Sequence, residues 1–329
     1  MSGTGMAART ATLTLSLALA LLGAASGIRA QDFPNRPIRM VVIYATGSTS
    51  DLHARVVAQI LTDKIGQPVV VENSGGAGGV IAMRTVARSQ PPGYSLLFTT
   101  NALVGNLYAF RDPQYKLEDF TLVGTAGQSP YAIMVNANVP GKTIQEFIAY
   151  VKANPGKLNF GSSGPSAGPN ILAERLKAAA GLDMVMVPFK GGEPATQALM
   201  AGDIHVYFST VGAVRNRIRG GQIKTLAVTS DQRADIFPDL PTFREAGYPT
   251  VTLGVWNGIF TPVATPAPYV QKLRDGFAKV NASPEMKKQL ERIEFEPWKG
   301  SLDQFMTYIK AEGVAIAEDF KRLKIPLQD

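Results

Sequence analysis

The sequence predicts an α/β protein of two lobes joined by two extended crossings of the chain. Three observations lead there. Strand and helix patterns alternate from residue 38 to residue 229. In each half of that span a strand runs into a small, hydroxyl-rich loop that opens a helix. Two apolar stretches, 120–138 and 251–260, read as extended chain passing from one lobe to the other and back.

The first lobe is organised around residues 38–44 (IRMVVIY), a β-branched run of one strand's length. It ends in Ala45, Thr46, Gly47, Ser48, Thr49, Ser50 and Asp51, and a helical pattern follows from Leu52. The first backbone N–H groups of a helix have no intrahelical acceptor, so such a loop is either capped by Ser50 or Asp51 or receives an anion beside its hydroxyls. Gly66 and Pro68 stop the helix, 69–71 is a short strand, and 72–79 (ENSGGAGG) is a glycine-rich loop before a helix from Val80. Its glycines do not fall as G-x-G-x-x-G and no Walker A lysine follows, which excludes the usual nucleotide signatures. A third strand, 94–100 (YSLLFTT), ends at Asn101. Loops at the carboxyl ends of such parallel strands are where open α/β sheets hold their ligands.

The second lobe repeats this plan. A helix over 143–153 is capped by Thr143, 157–160 is a strand, and the loop 161–170 (GSSGPSAGPN) opens a helix over 171–180. Strands at 185–189 and 204–208 end beside Phe189 and at Ser209, with Tyr207 near the second strand's end, and 224–229 is a further strand. The rest is helical: 269–280, 284–292, and 301–324 broken at Gly313.

Within the second loop, Gly164 to Gly168 satisfies G-x-S-x-G around Ser166. A nucleophile elbow needs its serine at a sharp strand-to-helix turn, but Gly161 to Gly164 intervene here. The chain holds only two histidines, His53 and His205, and the order serine, acid, histidine would be crowded into 166–205. A secreted serine hydrolase is therefore the disfavoured alternative to a binding protein without catalysis.

Composition narrows the class further. There is no cysteine, so disulfides, thiolate metal sites and thiol nucleophiles are excluded. No H-E-x-x-H occurs, and neither a metal nor a cofactor is expected. Arg9 precedes an uninterrupted small and apolar run over 11–25, then 26–30 leads into Gln31, which reads as a signal peptide over 1–30 and an exported, periplasmic protein. Its removal takes the formal charge from +7 to +5. The basic residues are dispersed apart from Arg215, Arg217 and Arg219, read as a solvated helix edge, so no nucleic-acid partner is expected.

With these loops in view, the mature chain resembles the extracytoplasmic solute receptors of the tripartite tricarboxylate transporter class, the Bug-type receptors. The resemblance rests on ordered motifs: PIR at 37–39 leading to Asp51 and Arg55, IGQPVVVEN at 65–73, PGY at 92–94, PGKLN at 155–159, GSSG at 161–164, VPFKG at 187–191, AGD at 201–203, LAVT at 226–229 and WNG at 256–258. It implies a two-lobed type II periplasmic-binding-protein (Venus-flytrap) fold with two crossover strands, lobe 1 from 31–127 and 252–329 and lobe 2 from 128–251. It also implies a small organic carboxylate as ligand, membrane subunits of a tripartite transporter as partners, and a monomer. A receptor serving signalling would need the same closure.

Carried onto this sequence, the family's ligand loops are Tyr44, Thr46, Gly47, Ser48, Thr49 and Asp51 on one side. On the other they are Ser162, Ser163, Gly164, Ser166, Ala167, Gly168 and Asn170. Asn101, Phe189, Tyr207 and Ser209 at strand ends complete the candidates. The first loop departs from the family's proline-glycine-glycine pattern, Asn170 stands where histidine is common, and Ser209 where aspartate often ends the strand. Those departures add hydroxyl and amide groups, which suggests a carboxylate carrying a further polar group or an aromatic ring.

Overall fold

The computed structural model describes residues 33–328 apart from 165, 190, 213–216, 219 and 235–236. The signal-peptide reading of 1–30 lies outside them, as do Arg215 and Arg219. The account below concerns the unit from Arg36 onward.

Three parallel strands start the chain: β1 (Ile38–Val42), β2 (Val69–Asn73) and β3 (Ser95–Thr99), in the order β2-β1-β3. Between them run α1 (Thr49–Ile65) and α2 (Val80–Ala87). A helix absent from the sequence reading, α3 (Ala102–Ala109), follows β3 directly. It is buried on nearly every side, so it shows no polar stripe to betray a helical period.

The stretch expected to cross is a single strand of 17 residues, β4 (Phe120–Asn136). The second half adds α4 (Ile144–Ala153), β5 (Asn159–Ser162), α5 (Gly168–Ala180), β6 (Val185–Pro188), α6 (Gly192–Ala201), β7 (Val206–Thr210) and β8 (Ile223–Val228). The return stretch is β9 (Gly254–Pro262), and α7 (Ala267–Asn281), α8 (Pro284–Ile293) and α9 (Leu302–Arg322) close the chain.

The sheet path is β2-β1-β3-β9-β4-β7-β5-β6, with β8 also on β4. β4 changes partners along its length: Phe120 to Pro130 pair antiparallel with β9, and from Tyr131 onward it pairs with β7 and β8. Register shifts occur between Leu122 and Gly124 and between Thr125 and Gln128. Two glycines there let helices lie flat on the strand. A Cβ on Gly124 would stand 2.5 Å from Cγ of Phe277 in α7, and one on Gly127 (φ 97°) 2.6 Å from Leu290 in α8.

Helix α9 runs unbroken through Gly313, against the expected break. Gly313 is buried beside α3, where a Cβ would meet Val104 at 3.5 Å, so its small size serves packing rather than termination. Helix α9 is tied to α5 and to the segment that leads into β9. Arg175 of α5 pairs with Asp319 of α9 at 2.6 Å and also donates to the carbonyl of Thr252. Both side chains are more than nine-tenths buried. Removing one member of a buried pair strands the other's charge. Asp319→Ala is accordingly expected to lower stability by about 3 kcal/mol in equilibrium urea unfolding, far above the cost of a surface ion pair.

Candidate functional site

The first loop begins two residues earlier than the sequence spacing suggested, because β1 ends at Val42 and α1 already starts at Thr49. Its cap is Ser48, not Ser50 or Asp51: the Ser48 Oγ accepts from the Asp51 N–H at 3.2 Å. Gly47, with φ 83°, turns the chain so that its N–H donates to Asp51 Oδ2 at 2.8 Å. Asp51 Oδ1 accepts from Asn73 Nδ2 at 3.0 Å and pairs with Arg55 at 3.0 Å. Burial opposes ionisation of this carboxyl most strongly. The Gly47 N–H, Arg55 and Asn73 outweigh it and hold the pKa below the usual carboxylate value. Asp51 therefore spends its oxygens shaping the loop, while Thr46, Gly47 and Thr49 remain exposed.

Tyr44 stands at the mouth of this loop. Its hydroxyl and that of Thr100 at the end of β3 are 3.1 Å apart. Although Tyr44 is 36% exposed as a whole, burial of its phenol end raises its pKa, so it stays a neutral hydroxyl. Asn101 Nδ2 donates to the Gly254 carbonyl and to Glu312 Oε1, both at 2.7 Å.

The second loop leaves β5 at Ser162, whose Oγ lies 3.2 Å from the Gly164 carbonyl and 3.3 Å from the Gly164 N–H. Ser163 is half-buried and hydrogen-bonds the Tyr207 hydroxyl. Helix α5 opens at Gly168 with Ala167 as its cap residue and Pro169 in the first turn, and Ala167 has no side chain that could cap it. The Gly168 position is closed by a residue the sequence reading overlooked. A Cβ there would lie 2.6 Å from the hydroxyl oxygen of Tyr131. Ser166 Oγ donates to Asn106 Oδ1 of α3 at 2.5 Å, and Asn106 Nδ2 donates to the Gly78 carbonyl at 2.9 Å. Thus the loop after β5 is bonded directly to the elements beside the loop after β1.

Asn170 is buried in the first turn of α5, and Ser209 is buried on β7 opposite Ala132. Phe189 is half-buried against the apolar cluster containing Ala132, Met134 and Tyr207, and its N–H donates to the Ser162 carbonyl at 2.7 Å. Tyr207 is 3% exposed, and burial pushes its pKa up to about 12. Tyr131, the first residue of β4 beyond its pairing with β9, is pushed well up, chiefly by burial and then by the proximity of Tyr44, Tyr207, Glu312 and Tyr308. Three neutral phenols, Tyr44, Tyr131 and Tyr207, thus lie within one another's field, Tyr131 beside Gly168 and Tyr207 bonded to Ser163.

Tyr131, Asn106 and Glu312 were missed in the sequence. A signal existed for Glu312, an acid in register with Phe305, Ile309 and Ile316 on the buried face of α9. Nothing local distinguished Tyr131 within an apolar crossing.

Neither histidine supplies a base to Ser166. His53 is 1% exposed, with Nε2 2.8 Å from the Ala126 carbonyl and Nδ1 3.3 Å from Gln289 Nε2. Burial lowers its pKa to about 4. His205 precedes β7 rather than lying within it, and its Nδ1 is 2.7 Å from Asn159 Oδ1. Among the described residues no group of three His, Cys, Asp or Glu could hold a metal ion, and no helix is long and apolar enough to cross a membrane.

A cavity lies elsewhere, beside the β4–β9 ribbon. It measures about 1030 Å³ and is walled by Ser129, Arg175, Asp231, Arg233, Tyr308 and Glu312 among others. None of the loop residues described above lines it. The donors on the two strand-to-helix loops lie outside this groove.

Two β-α halves joined by an antiparallel ribbon, with facing hydroxyl-rich loops and no catalytic constellation, define a hinge-type solute-binding protein. The chain belongs to the TctC family, described as the tripartite tricarboxylate transporter family receptor, whose model matches residues 53–318. These are periplasmic solute receptors, not enzymes, and the fold is that of type II periplasmic binding proteins. The periplasmic binding protein BugD is 31% identical, with a TM-score of 0.81 over 90% of this chain and 100% of that one. Rpa4515 of R. palustris with adipate is 28% identical, with a TM-score of 0.83 over 90% of this chain and 100% of that one. MatC (Rpa3494) from Rhodopseudomonas palustris with bound malate is 27% identical, with a TM-score of 0.79 over 87% of this chain and 99% of that one.

The assignment of His53 as a structural residue has a measurable consequence. The unfolded chain takes up a proton on this ring near pH 6.5, whereas the folded chain resists until about 4. The stability that the neutral ring contributes is complete above 6.5 and is lost as pH falls towards 4. Thermal or urea unfolding across that window should show about 3 kcal/mol of acid sensitivity that is absent in His53→Gln.

Proposed function

We propose that this receptor binds a small organic carboxylate between the loops after β1 and β5 and delivers it to membrane subunits of a tripartite transporter. The observation carrying this reading is the meeting of Tyr44, Tyr131 and Tyr207 with those two loops, next to the start of α5. Family membership and the malate and adipate held by two relatives support the choice of an organic acid.

The chemistry of such a site is hydrogen-bonding. A carboxylate seated by neutral donors at helix starts needs no cation, because each N–H or hydroxyl aimed at it is a charge-assisted donor. Thr46, Thr49 and Ser163 offer hydroxyls, and the elevated phenol pKa values keep all three tyrosines protonated in the neutral range. Their ring faces would line the middle of the site, which favours an acid carrying a second polar group or an aromatic ring. In this reading the halves move as lobes about the β4–β9 ribbon, divided near Gln128 and Thr252, and the Ser166–Asn106 hydrogen bond holds them together around the ligand.

Calorimetry against mono-, di- and tricarboxylates tests the reading; a response to sugars or cations with none to any carboxylate would refute it. Ser48→Gly and Ser163→Ala should each weaken the identified ligand by about 1 kcal/mol or more. Glycine is tolerated at a helix cap for a few tenths of a kcal/mol. A binding loss in Ser48→Gly therefore separates from any change in folding, and unchanged dissociation constants in both variants would place the ligand elsewhere.

A further inference from the structure

Glu312 lines the groove and is bonded to residues of two strands that lead away from it. Its carboxylate accepts from Asn101 Nδ2 at 2.7 Å and from Trp256 Nε1 at 2.6 Å, so it joins the end of β3, the ribbon strand β9 and helix α9 in one contact. Asn101 also holds the Gly254 carbonyl, and the preceding residue, Thr100, meets the Tyr44 hydroxyl. Both donors to Glu312 are neutral. Arg175, the nearby cation from α5, is engaged by Asp319 and the Thr252 carbonyl, and Asp319 is also paired with Arg322 at 2.9 Å. The other ionisable neighbours are Tyr131 of β4 and Tyr308 of α9, the latter also within the field of Asp231. The carboxyl is 7% exposed, yet it forms part of the wall of the groove, which gives protons a path to solvent.

Resting on the receptor reading above, we propose that Glu312 is a proton-linked positioning residue: it takes up a proton from solvent, through the groove, when an anionic ligand enters the cleft. Glu312 does not touch the ligand. It acts through Asn101 and through its field at Tyr131, which also senses Tyr44 and Tyr207 on the ligand side. Burial raises its pKa to about 7, and only the Trp256 and Asn101 hydrogen bonds and the attraction of Arg175 oppose that rise. Burial thus disfavours the charge of this carboxyl, and a second negative charge close by would tip it further towards the neutral form. An anion in the cleft sees a favourable site below pH 7 and a repelling charge above it.

Two arms test this, and each can fail separately from the receptor reading. The chain has two tryptophans, so Trp298→Phe leaves Trp256, bonded to the Glu312 carboxylate, as the sole tryptophan and the sole residue excited at about 295 nm. In ligand-free protein its emission should change with a midpoint near pH 7, and the change should vanish in Glu312→Gln made in the same background. In the second arm, adipate and malate are titrated calorimetrically into wild-type protein in buffers of differing ionisation enthalpy. Binding should be accompanied by proton uptake, with affinity about tenfold weaker above the transition than below it, as expected for like charges several ångströms apart in a protein interior. A flat Trp256 titration in ligand-free Trp298→Phe protein overturns the proposal, as does binding to wild-type protein with no proton exchange. If neither acid binds at any pH, the choice of ligand fails while the fluorescence arm still decides whether Glu312 titrates. The calorimetric arm uses wild-type protein and the pH titration of Trp256 does not require Glu312→Gln, so misfolding of that variant would not spare the proposal.

Discussion

The antiparallel ribbon of β4 and β9 is the constraint on which the rest of the structure depends. Parallel strands connected by helices build sheets whose ligand loops all emerge at one edge, and one such sheet offers one face. To set two of these edges against each other, the chain must leave the first sheet and later return to it. β4 does this without interruption by exchanging β9 for β7 and β8 at Tyr131. Because the exchange happens within one strand, Tyr131 falls at the junction, and its position between the loops follows from the topology rather than from any local motif. The price is a strand that must bend under helices, met by Gly124 and Gly127 at the register shifts.

Burial then decides the chemistry available at that junction. A phenol or carboxyl removed from water resists charge, so Tyr44, Tyr131 and Tyr207 remain hydroxyls, and Glu312 is driven towards its neutral form. Where full charge persists in the interior it is paired, as with Arg175 and Asp319, or surrounded by donors, as with Asp51. The same burial makes His53 neutral and inert. A site assembled from neutral donors is suited to accept a negative charge and unsuited to acid-base catalysis, which explains why the G-x-S-x-G stretch has no partner to activate it: Ser166 is already committed to Asn106.

Much of this was legible in the sequence, for reasons that can be stated residue by residue. The β-branched run at 38–44, the loops rich in glycine and serine, and the long apolar crossings all declare themselves through local chemistry, and the element order followed from them. What stayed hidden depended on neighbours distant in the chain. Ser48 outcompetes Ser50 and Asp51 as the cap because Gly47 can adopt φ 83° and bring its N–H to Asp51, a turn that spacing alone does not specify. Gly313 looked like a break because its packing partner, Val104, belongs to a helix whose all-round burial erased its own period. Asn101 gives its amide hydrogens to Gly254 and Glu312, both far along the chain.

The two faces of the ribbon are consequently not independent. On the ligand side, Ser166 and Asn106 bring the loop after β5 onto α3, and Gly105 is so close to Ser166 that a Cβ would stand 3.1 Å from its side chain. On the other side a groove of about 1030 Å³ remains, walled by residues of both sheet halves and of α9. Rotation about a shared ribbon cannot narrow one side without widening the other, so the groove's volume and the front contact are two expressions of one angle. Helix α9 spans that angle: Arg175 fastens one half to Asp319, and Asn101 fastens the other to Glu312, seven residues earlier on the same helix. Two turns of helix are close to rigid, so any change in angle must be taken up at those two polar contacts rather than along the helix. Glu312, a carboxyl whose ionisation burial disfavours, sits at one of them, so a change in that angle and a change in its charge would be felt at the same contact.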